Sequence, residues 1–143
     1  GGLSAALNIT VGSAGGEPTY SGPVTVTVNH LQLPDGIAFD GTLTINLKTD
    51  GTSTISTNIT SSPHNVAIKL NNVSVATQAD GSVLINTTSA STVGDYAVTI
   101  TNLKVDAEVC QTGAIGGSMS FTKGGQTGTV KFDSTCNDTY TGP

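Results

Sequence analysis

Val26-Thr27-Val28-Asn29-His30-Leu31-Gln32-Leu33 decides the fold. Its apolar residues fall on even positions as far as Val28 and on odd positions from Leu31 onward, across the polar pair Asn29-His30. Alternation with a period of two marks a strand with one buried face. A slip of one residue would turn every later side chain to the wrong face. A sequence that shifts its own phase across two polar residues therefore predicts a β-bulge, or a corner where a long strand passes between sheets. The same phase change recurs in Ile68-Lys69-Leu70-Asn71-Asn72-Val73-Ser74-Val75 and in Val98-Thr99-Ile100-Thr101-Asn102-Leu103-Lys104-Val105. A second pattern follows each: Asp40-Gly41-Thr42-Leu43-Thr44-Ile45, Asp80-Gly81-Ser82-Val83-Leu84-Ile85 and Gly116-Gly117-Ser118-Met119-Ser120-Phe121. Together they read as a bent hairpin used three times.

Working outward, the first segment places Leu3, Ala5, Leu7, Ile9 and Val11 on one face of a strand, and residues 12–23 read as a Gly/Ser/Pro loop. Further strands are expected near 24–33, 39–48, 53–60, 66–77, 82–88, 96–109, 117–122 and 127–134. Pro34-Asp35-Gly36, Asp50-Gly51, Asp80-Gly81, Gly94-Asp95 and Gly124-Gly125 supply turns between them. No window of ten residues carries a helical apolar stripe. About nine strands at this spacing predict an all-β fold, an antiparallel β-sandwich or meander barrel with bulged hairpins, in a single domain over residues 1–143. Residues 1–12 are expected to be an exchangeable strand, because a clean alternation ahead of a long loop has the form of a segment that completes a neighbour's sheet. The competing expectation is an ordinary first strand in its own sheet.

Composition narrows the function. The 143 residues include 5 Lys, no Arg and 10 acidic residues, for a net charge of −5. Nucleic-acid binding needs cations to replace condensed counterions, so no nucleic-acid partner is expected. No apolar run is long enough for a membrane-spanning helix. Thr (24), Gly (18), Ser (14) and Asn (10) dominate instead, and they suit strands and turns. Val, Leu and Ile must build the core, since there are three Phe, three Tyr and no Trp.

Cys110 and Cys136 are the only cysteines and lack the CxxC spacing or His neighbours of a zinc site, so they read as one disulfide. If Gly124-Gly125 is a two-residue turn, Lys123 pairs with Gln126 and Cys136 falls opposite residue 113, within reach of Cys110. Such a bridge implies an oxidising compartment. No signal peptide heads the chain, so export would imply a mature form beginning near Gly1. Asn8, Asn58, Asn72, Asn86 and Asn137 each open an N-x-[ST] sequon and are candidate glycosylation sites.

Catalytic chemistry finds little to use. His30 lies in the polar pair of the first bent strand, where Asn72 and Asn102 stand in the other two, and His64 follows Pro63 in a turn. Neither belongs to a metal-ligand motif. Asp35, Asp40, Asp50 and Asp80 precede Gly, which is the chemistry of turns more than of calcium loops. No nucleophile elbow, phosphate loop or dinucleotide fingerprint is present. A Lys–Asn isopeptide cross-link would need a buried acid beside both partners. The expectation is a protein without cofactor, metal or catalytic residues.

Gly116-Gly117-Ser118-Met119-Ser120-Phe121, Gly124-Gly125 and Lys131-Phe132-Asp133, set around the two cysteines, make the C-terminal two-thirds similar to Thr/Gly-rich exported bacterial or archaeal cell-surface β-domains of the surface-subunit or lipoprotein type. The resemblance implies a secreted or cell-surface location. The expected function is an extracellular structural or adhesive subunit that associates with itself or with other surface proteins, polymerising by donation of its N-terminal strand. The alternative is an exported β-barrel carrier of a small hydrophobic ligand.

Overall fold

Tight turns fold the chain back on itself almost without pause. In the computed structural model, which describes residues 2–111 and 113–142, the strands are β1 (Gly2–Leu7), β2 (Thr10–Ala14), β3 (Glu17–Gln32), β4 (Ala38–Leu47), β5 (Thr52–Ser62), β6 (Val66–Lys69) and β7 (Val73–Thr77). They continue as β8 (Val83–Asn86), β9 (Ser91–Val93), β10 (Tyr96–Val105), β11 (Ala114–Lys123), β12 (Gln126–Phe132) and β13 (Asp138–Thr141). Gly1, the first residue of the expected exchangeable segment, lies outside the described residues. All pairings are antiparallel, in the order β1-β3-β4-β5-β6-β9-β10-β11-β12-β13, with β2 on β3, β7 on β5 and β8, and β8 on β10. The antiparallel all-β fold read from periodicity is observed, built among the described residues from thirteen strands where about nine were expected, because short strands such as Ser91–Val93 and Asp138–Thr141 are added. Its two ends, β1 and β13, do not pair with each other among the described residues.

The thrice-used bend is present where the phase changes. His30 (φ 48°), Asn72 (φ 51°) and Asn102 (φ 48°), the second residue of each polar pair, all occupy the left-handed region. Short polar side chains tolerate that region better than apolar ones, which is why polar residues interrupt the alternation there. Each bent amide donates to a side chain on the adjoining strand: His30 N–H to Asp40 Oδ1 (2.8 Å), Asn72 N–H to Ser56 Oγ (3.0 Å) and Asn102 N–H to Asn86 Oδ1 (2.7 Å). Gly41 lets β4 approach β5, and Gly117 lets β11 approach the bend at Asn102. A Cβ at Gly41 would lie 2.0 Å from the Asn58 carbonyl oxygen, and one at Gly117 2.1 Å from that of Asn102. The second Asp-Gly copy behaves differently. Asp80-Gly81 forms the β7–β8 turn, with Gly81 N–H on the Gln78 carbonyl (3.0 Å), because Asp80 Oδ1 takes the Ser82 amide and locks a turn instead of a bend.

Strands β5 and β10 run unbroken, whereas the two strands between them are each broken. The pair β6–β9 joins one end of β5 and β10, and β7–β8 joins the other. At the breaks, Thr57 Oγ1 accepts from Leu70 N–H (3.0 Å) and Thr87 Oγ1 from Ile100 N–H (3.1 Å), so threonine hydroxyls replace missing ladder carbonyls. The buried centre forms around this fork. Val73, Val98 and Ile100 are enclosed by Leu70, Ile85, Val93, Leu103, Met119 and Phe121.

Directly opposed residues share a face, so the register sorts the sheet into two surfaces. One carries Leu3, Val28, Gly41 and Ile59 in a row, then Leu7, Val24, Ile45 and Ile55. The other carries Ala6, Thr25, Thr44 and Ser56, with cross-strand hydroxyl pairs such as Ser120–Thr129 (3.1 Å) and Thr122–Thr127 (2.9 Å) further along. The Thr- and Ser-rich composition is the coat of one sheet face.

The Cys110–Cys136 disulfide joins the β10–β11 connection to the β12–β13 connection, with the Cα atoms 5.4 Å apart. Lys123 pairs with Gln126 across the Gly124-Gly125 turn, as the two-residue hairpin predicted. Closing a loop of this length stabilises by about 3–4 kcal/mol on the chain-entropy account. A structural disulfide fits a non-cytoplasmic protein. Among the described residues no helix is long and apolar enough to cross a membrane.

Candidate functional site

Strand β1 is the sheet edge the sequence singled out, and its geometry differs in part from expectation. Leu3, Ala5 and Leu7 lie on β1 opposite Val28, Val26 and Val24, on one face as the alternation required. Ile9 sits in the break after β1, and Val11 belongs to β2. The expected loop over residues 12–23 is a hairpin instead, with Thr10–Ala14 paired to residues 17–21 of β3. The reason is Gly15-Gly16, whose φ values of 59° and 84° make the two-residue turn that matches strand twist. The first strand is therefore residues 2–7, and after the break at Asn8-Ile9 residues 10–14 continue along β3 in the same register, ending in a tight turn and not a long loop.

The apolar side chains of this edge face solvent. Leu3 is 61% exposed, Leu7 68% and, on the adjoining hairpin, Val11 66%. No charged residue occurs before Glu17. Edge strands are ordinarily blunted by Lys, Pro or a bulge, and β1 has none of these. Its backbone is also half unpaired. Asn8 N–H donates to the carbonyl of Pro23, the residue facing it in register (3.0 Å). In an antiparallel ladder the groups aimed at one neighbour come from alternate residues, so Ser4 and Ala6 bond β3 while Leu3, Ala5 and Leu7 turn N–H and C=O outward.

The whole molecule carries surplus surface. It exposes 8659 Å², against about 6,800 Å² for a compact monomer of this mass. The fully buried apolar cluster lies entirely within residues 73–100, with its partly buried packing partners between Leu70 and Phe121. On the apolar face next to β1, Val28 is buried, whereas Val24, Val26, Leu43, Ile45, Ile55 and Ile59 are half-buried.

The titratable groups act as turn locks. Asp50 accepts from the Thr52 hydroxyl and amide, and Asp133 likewise from Thr135, and these bonds hold both carboxyls below their ordinary range. Asp80 lies further below it, because the Ser82 hydroxyl, the Lys104 ammonium (2.9 Å) and the Ser82 amide all stabilise the carboxylate. Asp35 caps the Ile37 amide in the same way, while Asp40 caps the His30 bend and lies 3.3 Å from its Nδ1. No group of three His, Cys, Asp or Glu that could hold a metal is found among the described residues. No described carboxyl is buried, so the acid an isopeptide cross-link needs has no counterpart. His64 is exposed in its turn.

The sequon asparagines divide by environment. Asn8, Asn58 and Asn137 are exposed. Asn72 is exposed but sits on a bend and accepts from Ser56 Oγ (3.3 Å). Asn86 is half-buried, with its side-chain carbonyl committed to the Asn102 amide.

One feature escaped the sequence reading. Tyr96, Phe121 and Tyr140, three of the six aromatic residues, line an open cleft of about 320 Å³ with Lys123, Gln126 and Gly128. The Lys123 ammonium lies 5.5 Å from the Tyr96 ring centre and 3.6 Å from Asp95. The signal was the register across Gly124-Gly125, which sets Phe121 against Gly128; the part contributed by Tyr140 required recognising Asp138–Thr141 as a strand.

Compared with known protein families, curated proteins and solved structures, the chain matches none.

Proposed function

We propose that this is an exported structural or adhesive subunit that assembles with copies of itself through its N-terminal strand. The observation that carries the reading is the uncharged β1 edge, with Leu3 and Leu7 in solvent beside an apolar face that its own chain leaves half covered. The surplus of roughly a quarter over a compact monomer's surface is of the size that contacts of about 800 Å² per partner would remove. Asp50, Asp80 and Asp133 are each taken up in holding a turn. The disulfide supports an oxidising, extracellular setting.

Strand donation is one form of this assembly: β1 would swing about Asn8-Ile9 and take, on a neighbour's β3, the register it holds on its own. The test is light scattering and electron imaging of the native protein beside a variant lacking residues 2–7. Assembly in the first and folded monomers in the second support the reading. Monomers throughout, with a hydrophobic molecule released on extraction, would replace it with the carrier.

A further inference from the structure

Leu3, Ala5 and Leu7 form a spacing that reads the same in both directions about Ala5. They are also the residues whose backbone N–H and C=O groups point away from β3, as the Asn8–Pro23 hydrogen bond fixes. An antiparallel partner on that outer edge must offer outward groups of its own at matching intervals. A second copy of β1 offers them. We infer that β1 pairs with β1 of another copy across a two-fold axis at Ala5, while each stays on its own β3. Leu3 then faces Leu7 of the second copy, Ala5 faces Ala5, and six backbone hydrogen bonds join the two edges, two for each facing pair.

Three features favour this register over its neighbours. Sliding by one residue would set outward groups against inward ones and leave bonds unmade. Sliding by two would pair Leu3 with Ala5 and leave one Leu at each end unopposed. In the chosen register the leucines stay on the face that continues into Val24, Val26 and Val28, so the apolar surface runs across the junction unbroken. With no charge before Glu17, no like-charge pair is brought together at the seam. The contact is isologous, the commonest way for identical subunits to associate. The opposite edge lacks these properties: β13 has four residues, begins with Asp138 and follows the Cys136 bridge closely.

The inference rests on the self-assembling reading and names the partner and symmetry of that contact. In the facing pair the Ala5 Cα atoms would be about 5.5 Å apart. A disulfide spans about 4.4–6.8 Å, so Ala5→Cys should cross-link nearly all chains into covalent dimers under mild oxidation. Ser4→Cys, which faces Ala6 of the second copy and points to the other side of the sheet, should not. Ala5→Pro removes an outward N–H without touching a bond to β3, so it should halve the mass by light scattering and leave circular dichroism unchanged. If Ala5→Cys stays uncross-linked while the native chain still assembles and loss of residues 2–7 abolishes it, the two-fold pairing is wrong and strand-mediated assembly stands. If the native chain is monomeric at every concentration, both fall.

Discussion

The two halves of the sheet use the same alternation and reach different ends. From Val66 onward, β6 to β13 fold around a fork, bury Val73, Val98 and Ile100, and tie their far turns with Cys110–Cys136. From Gly2 to Ser62, β1 to β5 are as regular in pattern, yet only Val28 and Ala38 are buried among their apolar residues, Val24, Val26, Leu43, Ile45, Ile55 and Ile59 remain half-buried, and Leu3 and Leu7 of β1 are exposed. The two halves differ in what covers the apolar face. In the second half the apolar face closes over a buried cluster; in the first it stays half-buried apart from Val28 and Ala38. A strand pattern states which face is apolar, and only the tertiary path states whether that face is covered.

Substitutions test this comparison. Ile100→Ala should cost about 2–5 kcal/mol in urea unfolding, the range for truncation inside a packed core. Leu43→Ala, in the half-covered region, should cost under about 2 kcal/mol. Equal losses at the two sites would remove the distinction between the halves. Replacing Cys110 and Cys136 together by Ser should cost about 3–4 kcal/mol, read as a lower urea midpoint. An unchanged midpoint would mean the bridged turns are held by other contacts.

At the edge the expected stability effect is smaller. Leu3→Ser with Leu7→Ser should lower the stability of the dilute, unassembled chain by under about 1 kcal/mol, because both side chains are already in solvent. The smallest effect is that of pH. Asp50, Asp80 and Asp133 have folded pKa values below the unfolded value of 3.8, so their contribution is present above that value and is lost as pH falls through and below it. Stability should therefore decline below about pH 4, and Asp80→Asn should flatten that decline. A slope unchanged by the substitution would show that the Asp80 turn is not what titrates.

Much of this architecture was legible because the polar pairs carry it. Asn29-His30, Asn71-Asn72 and Thr101-Asn102 mark bends that local chemistry dictates, and Cys110 and Cys136 are bridged as expected, though Cys136 lies in the turn after β12 and not in register opposite residue 113. What was not legible depended on partners distant in sequence. Gly15-Gly16 looked like part of a loop until β2 and β3 were seen to pair across it. Asp80-Gly81 makes the turn that its sequence marked, whereas its expected equivalence to Asp40-Gly41 in a repeated hairpin does not hold, since Asp40 faces a bend. Ser91–Val93 and Asp138–Thr141 are too short to announce themselves without β10 and β12 beside them. At the candidate site, Leu3, Ala5, Leu7 and Val11 share the face that alternation required, whereas the interruption at Asn8-Ile9, which leaves Ile9 between β1 and β2, was not legible.

Amide hydrogen exchange along β1 tests the central claim most directly. In dilute solution Ser4 and Ala6, bonded to β3, should exchange slowly, and Leu3, Ala5 and Leu7 should exchange fast. As concentration rises, the three odd-numbered amides should become protected together. Fast exchange at Leu3, Ala5 and Leu7 at every concentration would contradict the claim that a second copy completes this edge.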